Sequence, residues 1–126
     1  MTFSPYANIQ LGNPEIVTMS YVGGTLTVQL RGKECRKVTL EFSRARAFLV
    51  SDEGDRQQYV TTFLKQRQSD DAFIYTVDES EFTKWLAAES WNIWPADLWT
   101  HYLIVTSNEL VDIIADVKPS YTWVPE

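Results

Sequence analysis

One cysteine and one histidine are all this chain holds of the side chains that most often build metal centres and nucleophilic sites. Cys35 alone excludes an intrachain disulfide and any multi-cysteine zinc site. With His101 as the only imidazole, a zinc ion would need a carboxylate-rich shell. Glycine is sparse too: no GxGxxG, GxxxxGK[ST] or GxSxG run occurs, so phosphate cradles and nucleophile elbows are not expected. Asp52-Glu53-Gly54-Asp55 lacks the alternating acids of a calcium loop, and Phe63 stands where its distal glutamate belongs. These absences predict no metal and no cofactor. No apolar run approaches the ~18 residues of a membrane span. The start MTFSPYANIQ has neither a basic nor an apolar leader region, so a cytoplasmic protein is expected.

Basic charge is scarce in the second half. Residues 1–67 carry nine Lys/Arg against six Asp/Glu, whereas residues 68–126 carry two against eleven. The net charge of −6 disfavours nucleic acid. Arg31, Lys33, Arg36, Lys37, Arg44 and Arg46 are spread over two turns and a strand, the pattern of a salt-bridged edge, with Phe42 and Phe48 expected inward. The acidic half suits a partner with a basic surface.

What is present reads as one α+β domain over residues 1–126, mainly antiparallel sheet built from hairpins, with one main helix on one face. IVTMSYVGGTLTVQLRG is a hairpin about Gly23-Gly24, pairing Tyr21 with Leu26, Met19 with Val28 and Val17 with Leu30. Val38, Leu40 and Phe42 alternate in a third strand, and Phe48 and Val50 mark a fourth after a bend near Arg44–Arg46. SDEGDRQQ and QRQSDD read as loops. Residues 59–65, YVTTFLK, fit both periods; their β-branched content favours a strand. AFIYTV is a strand. The helix is expected over about 78–90, capped by Asp78 with Glu81 three residues on, stapled by Val77 and Phe82, with Phe82, Trp85 and Leu86 as its inward stripe. HYLIVTSNELVDIIAD reads as a second hairpin of central strands, and Tyr121–Val124 as a short edge strand.

The run FIYTVDESEFTKWLAAES followed by HYLIVTSNELVDIIADVKP resembles a pattern in small bacterial proteins. It is carried by Val77, Ser80, Phe82, Trp85, Ser90, His101, Tyr102, Asp112 and Pro119, and LEFSRARAFLVSDEGD looks like their strand-to-acidic-turn segment. Those proteins are similar to the immunity proteins of bacterial polymorphic toxin systems. The resemblance covers about half the chain, rests on structural residues, and implies capture and neutralisation of a cognate toxin.

Three of the chain's five tryptophans fall in SWNIWPADLWTHY, residues 90–102. Trp99, next to a strand start, is expected in the core; Trp91 and Trp94, in a proline-containing loop, are expected to meet a partner with Asp97, Glu109, Asp112 and Asp116. Asp112 and Asp116 would stand on the solvent face of a strand, about 13 Å apart and too distant for paired acid–base work. No catalytic constellation is evident, and His101 reads as a packed or capping histidine. A non-enzymatic, toxin-binding immunity protein is thus the leading expectation. The alternatives are a small ligand-binding domain or enzyme with a pocket around Trp91, Trp94, Trp99 and His101, and a homodimeric structural module whose tryptophans meet across a two-fold axis.

Overall fold

A computed structural model describes residues 1–6, 9–67 and 72–125, so most of the expected QRQSDD loop lies outside the described residues. Among the described residues the strands are β1 (Thr2–Pro5), β2 (Glu15–Val22), β3 (Thr25–Arg31), β4 (Lys37–Phe42), β5 (Ala45–Asp52), β6 (Ile74–Asp78), β7 (Thr100–Val105), β8 (Glu109–Ala115) and β9 (Ser120–Trp123). Helix α1 spans Gln57–Gln66 and α2 spans Glu81–Glu89. The strands form two antiparallel sheets, β1-β6-β7-β8-β5 and β2-β3-β4-β9. This is an α+β domain of mostly antiparallel sheet. Among the described residues, no helix is long and apolar enough to cross a membrane.

Alternation builds the sheets and decides what lies between them. Leu26, Val28, Leu30, Val38, Leu40 and Phe42 cover the inner face of the four-stranded sheet. They meet Ile74, Tyr102, Ile104, Val111 and Ile113 from the other sheet in one buried cluster. The opposite face of the five-stranded sheet is covered by the helices. Phe63 of α1 packs with Phe3, Tyr75, Val77, Leu103 and Leu110, while Ala87 of α2 packs with Trp99 and Ile114. The central strands β7 and β8 are therefore covered on both faces, as their near-continuous Val/Ile/Leu content requires.

The Gly23-Gly24 hairpin forms as the sequence predicts, with both glycines at positive φ. Tyr21 faces Leu26 and Met19 faces Val28, but a bulge between Ile16 and Thr18 sets Ile16, not Val17, against Leu30. Val17 is consequently exposed. Residues 59–65 are helical, not a strand. Val60 and Phe63 belong to the α1 cluster, and this tertiary burial overrides the β-branched preference of Val60, Thr61 and Thr62. Phe48 is exposed as well, because β5 lies at a sheet edge where the facing sheet no longer covers it.

The cap of α2 also differs from expectation. Asp78 ends β6, paired with Thr2, and Glu79 turns the chain with φ 54°. Ser80 is the N-cap, its hydroxyl oxygen accepting from the Thr83 N–H. The helix ends at Ser90, as predicted. Phe82 and Leu86 pack partly against the sheet as expected, beside the fully buried Thr83 and Ala87, but Trp85 is exposed and stacks on Phe82 with ring centroids 6.0 Å apart.

Candidate functional site

Two features stand apart from ordinary packing. One is a polar chain under the helices, and the other is the tryptophan loop.

In the hairpin register Leu103 faces Asp112 and His101 faces Ile114, so His101 and Asp112 are diagonal neighbours on the helix-covered face. Asp112 was expected at the solvent face. It is only 2% exposed, because α1 and α2 cover that side of β8. His101 Nε2 lies 2.7 Å from Asp112 Oδ1, and His101 Nδ1 lies 2.5 Å from the Ser80 hydroxyl. From the α1 side, the Tyr59 hydroxyl donates to Asp112 Oδ1 at 2.8 Å. Arg56, just before α1, reaches Asp112 Oδ2 at 3.3 Å and Ser51 Oγ at 3.1 Å. One line of hydrogen bonds thus joins the starts of both helices across the central strands.

The Asp112 carboxylate takes the Nε2–H of the ring. The Ser80 hydroxyl oxygen accepts from Thr83 and also meets Nδ1, with the direction of that last bond set by the ring's protonation. Every group is then satisfied, and no buried polar side-chain atom among the described residues lacks a partner. Burial, followed by the Asp112 charge and hydrogen bond, pushes the Tyr59 phenol well above its ordinary range. A raised phenol pKa favours the neutral folded form. That stability is complete below about pH 10 and is lost as pH climbs towards the folded value. Thermal melts between about pH 9 and 11 should therefore fall, and Tyr59→Phe should flatten part of the slope. Tyr6 and Tyr102, raised by burial in the same direction, supply the remainder.

Ser80, His101 and Asp112 stand in the order of a proton relay, with the two ring nitrogens exchanged relative to a serine hydrolase. Ser80 is 3% exposed and borders a surface groove of about 420 Å³, shared with Glu79, Lys84, Asp97 and Trp99. Its hydroxyl is committed to Thr83 and His101. Ser80→Ala should cost about 1–2 kcal/mol by removing the cap and orphaning a histidine nitrogen. Urea unfolding measures this, and an unchanged midpoint would contradict it. Among the described residues, no group of three or more His, Cys, Asp or Glu side chains is placed to hold a metal ion.

The second feature begins where α2 ends. The N–H of Trp91 donates to Ala88 O at 3.0 Å and that of Asn92 to Ala87 O at 2.8 Å. This is a Schellman ending, whose left-handed position usually holds glycine. Here Trp91 holds it, with φ 56°, and Asn92 follows with φ 55°. The Trp91 ring is 89% exposed, and Ile93, Trp94 and Leu98 are exposed beside it. Trp99 is buried, as expected. The Arg46 guanidinium lies 5.6 Å from the Trp94 ring and 5.9 Å from Trp99, and grips Asp116 through two bonds of 2.9 and 2.8 Å.

The expected contact residues therefore separate. Trp91, Trp94 and Asp97 share the exposed loop, with Asp97 in a 3-10 turn over Ala96–Leu98. Asp116 is tied to Arg46, whose hydrogen bond holds its carboxyl below the usual carboxylate range. Glu109 sits half-buried at the start of β8, accepting from Thr106, and Asp112 is internal. Nor do Trp91 and Trp94 form a pocket with Trp99 and His101, since Trp99 and His101 are buried and Trp91 points to solvent. Sequence reasoning missed Arg56, Tyr59 and the pairing of Ser80 with His101. The hairpin register could have found His101 beside Asp112, since both share a parity about the Ser107-Asn108 turn. Compared with known proteins, the chain matches no family model, no curated protein and no solved structure.

Proposed function

We propose that the chain is a non-enzymatic binding module of the immunity type, which captures a cognate bacterial toxin domain through the loop after α2. The observation that carries this reading is Trp91, a large apolar ring held in solvent by a left-handed backbone that disfavours it. Exposed tryptophans bury much area at little entropic cost and are the commonest interface anchors. Asp78, Glu79, Glu81, Glu89 and Asp97, in and beside α2 and its loop, are all exposed, while of the cations there Lys84 is exposed and Arg46, beside Trp94, is tied to Asp116. A partner with a basic, apolar-centred surface fits both properties, and association should slow as salt rises.

The test is affinity capture with purified products of the neighbouring reading frames, repeated with Trp91→Ala/Trp94→Ala and with Asp97→Lys. Specific capture of a toxin domain, weakened by both variants, supports the reading. Capture of none of those products, or capture indifferent to both variants, removes it.

A second reading rests on the Ser80–His101–Asp112 alignment beside the groove, which would make this a small serine-dependent acyl-transfer enzyme. It requires a fluorophosphonate probe to modify Ser80, and an unmodified serine ends it.

A further inference from the structure

The two sheets have four edge strands, and three of them are protected. β1 is four residues long and ends in Pro5, and β9 is equally short. β2 carries its bulge at Ile16/Thr18 and presents Glu15, Thr18 and Ser20. Short length, proline, bulges and polar residues are how edges avoid recruiting another strand. β5 has little of this. After an irregularity at Arg46, Ala47–Asp52 pairs in unbroken register with β8. The stretch Ala47–Ser51 reads AFLVS, with no charge and no proline, and Phe48, Leu49 and Val50 are exposed over both faces. Among the described residues, no strand pairs with its outer side. Tyr21 of β2 packs against Phe48 at 5.3 Å, extending the apolar surface across the neighbouring edge.

We propose that the outer edge of β5 is a homodimer interface, in which β5 pairs antiparallel with β5 of a second copy about Leu49. Self-pairing requires facing residues to share a sheet face, so the two-fold axis must pass a residue and not fall between two. An axis at Leu49 sets Leu49 against its own copy, Phe48 against the partner's Val50, and Arg46 against the partner's Asp52. Opposite charges then close both ends around an apolar centre. Shifting the axis by one residue sets Arg46 against Val50, or beyond the end of the strand. Arg46 uses Nε and Nη2 on Asp116, and its Nη1 makes no hydrogen bond among the described residues, so it is available to the partner's Asp52. The charge pattern of the strand thus selects a second copy, and the open backbone supplies the pairing groups.

Sedimentation velocity on the full chain, from low to high micromolar concentration, tests this. A reversible dimer is expected, with amide exchange at residues 47–51 slowing as it fills. Leu49→Lys places two ammonium groups face to face and should weaken the dimer about tenfold or more. Val50→Lys, on the other face, should act similarly, and a far-ultraviolet spectrum and melting curve verify that each variant folds. Toxin capture by the tryptophan loop should survive both, which separates failure here from failure of the binding reading. A monomer at every concentration overturns the proposal. So does a dimer that tolerates both lysines, or one that only Trp91→Ala dissolves, since either places the axis elsewhere.

Discussion

Asp112→Ala should destabilise the protein by about 3–5 kcal/mol, the usual cost of removing one partner from a buried ionic network. The carboxylate accepts from His101 and Tyr59 on one oxygen and meets Arg56 on the other. Without it, an imidazole N–H and a phenol are left beneath the helices with nothing to accept from them, and the Arg56 guanidinium keeps only Ser51. A domain with about 5–15 kcal/mol in total would lose about a fifth or more of its stability. Asp112→Asn should cost less, because its oxygen can serve His101 and Tyr59 while its amide meets Arg56 without charge. Urea unfolding of the two variants should rank them in that order. If Asp112→Ala lost under about 1 kcal/mol, the network would not be what fixes the helices. Removing Asp112 together with the three groups bonded to it, as Arg56→Met, Tyr59→Phe, His101→Leu and Asp112→Leu, should recover much of the loss, since the penalty lies in orphaned groups.

The second large effect has two opposite signs in one variant. Trp91→Gly relieves a left-handed backbone and should raise stability by about 1 kcal/mol, with little burial to lose from an 89% exposed ring. On the proposed binding reading, the same change should weaken capture of the partner about 30-fold to 1000-fold, the range of a central tryptophan anchor. Calorimetric melting and titration of one protein preparation read both. A ring retained against stability is the mark of residues kept for binding. If Trp91→Gly lowers the melting temperature instead, the ring supports the loop, and Trp94 becomes the main anchor.

Local signals in the chain carried much of the fold. The Gly23-Gly24 turn, the alternation of Val38-Leu40-Phe42 and the ending of α2 at Ser90 depend on residues close in sequence, and each formed where expected. The second hairpin formed too, but its turn, expected at Ser107-Asn108-Glu109, is shorter by Glu109, which opens β8. Errors arose where distant parts decide. β8 contains Asp112 between apolar residues, which reads as one wet face; both faces are covered, and the aspartate is met from α1 and β7. In α1, the apolar spacing of Val60, Phe63 and Leu64 was helical, yet three β-branched residues masked it until Phe3 and Tyr75 offered a cluster to join. Asp78 and Ser80 are both good caps, and pairing of Asp78 with Thr2 at the far end of the chain leaves Ser80 as the cap. The exposed tryptophans were legible from the loop's composition. The Ser80–His101–Asp112–Tyr59 line was not, because its members come from four elements.

The order in which β5 finds β8 has a kinetic consequence. β7 and β8 are joined by a tight turn and β2, β3 and β4 by short ones, so these units can form early. β5 must pair with a strand more than fifty residues away, β1 with β6 at the far side of α1, and β9 with β4 across most of the chain. Such closures are slow, in the range of about milliseconds to seconds. Until β5 docks, Leu110, Val111, Ile113 and Ile114 of β8 form an open apolar edge. Refolding yield should therefore fall as protein concentration rises, with the losses arising before β5 docks on β8.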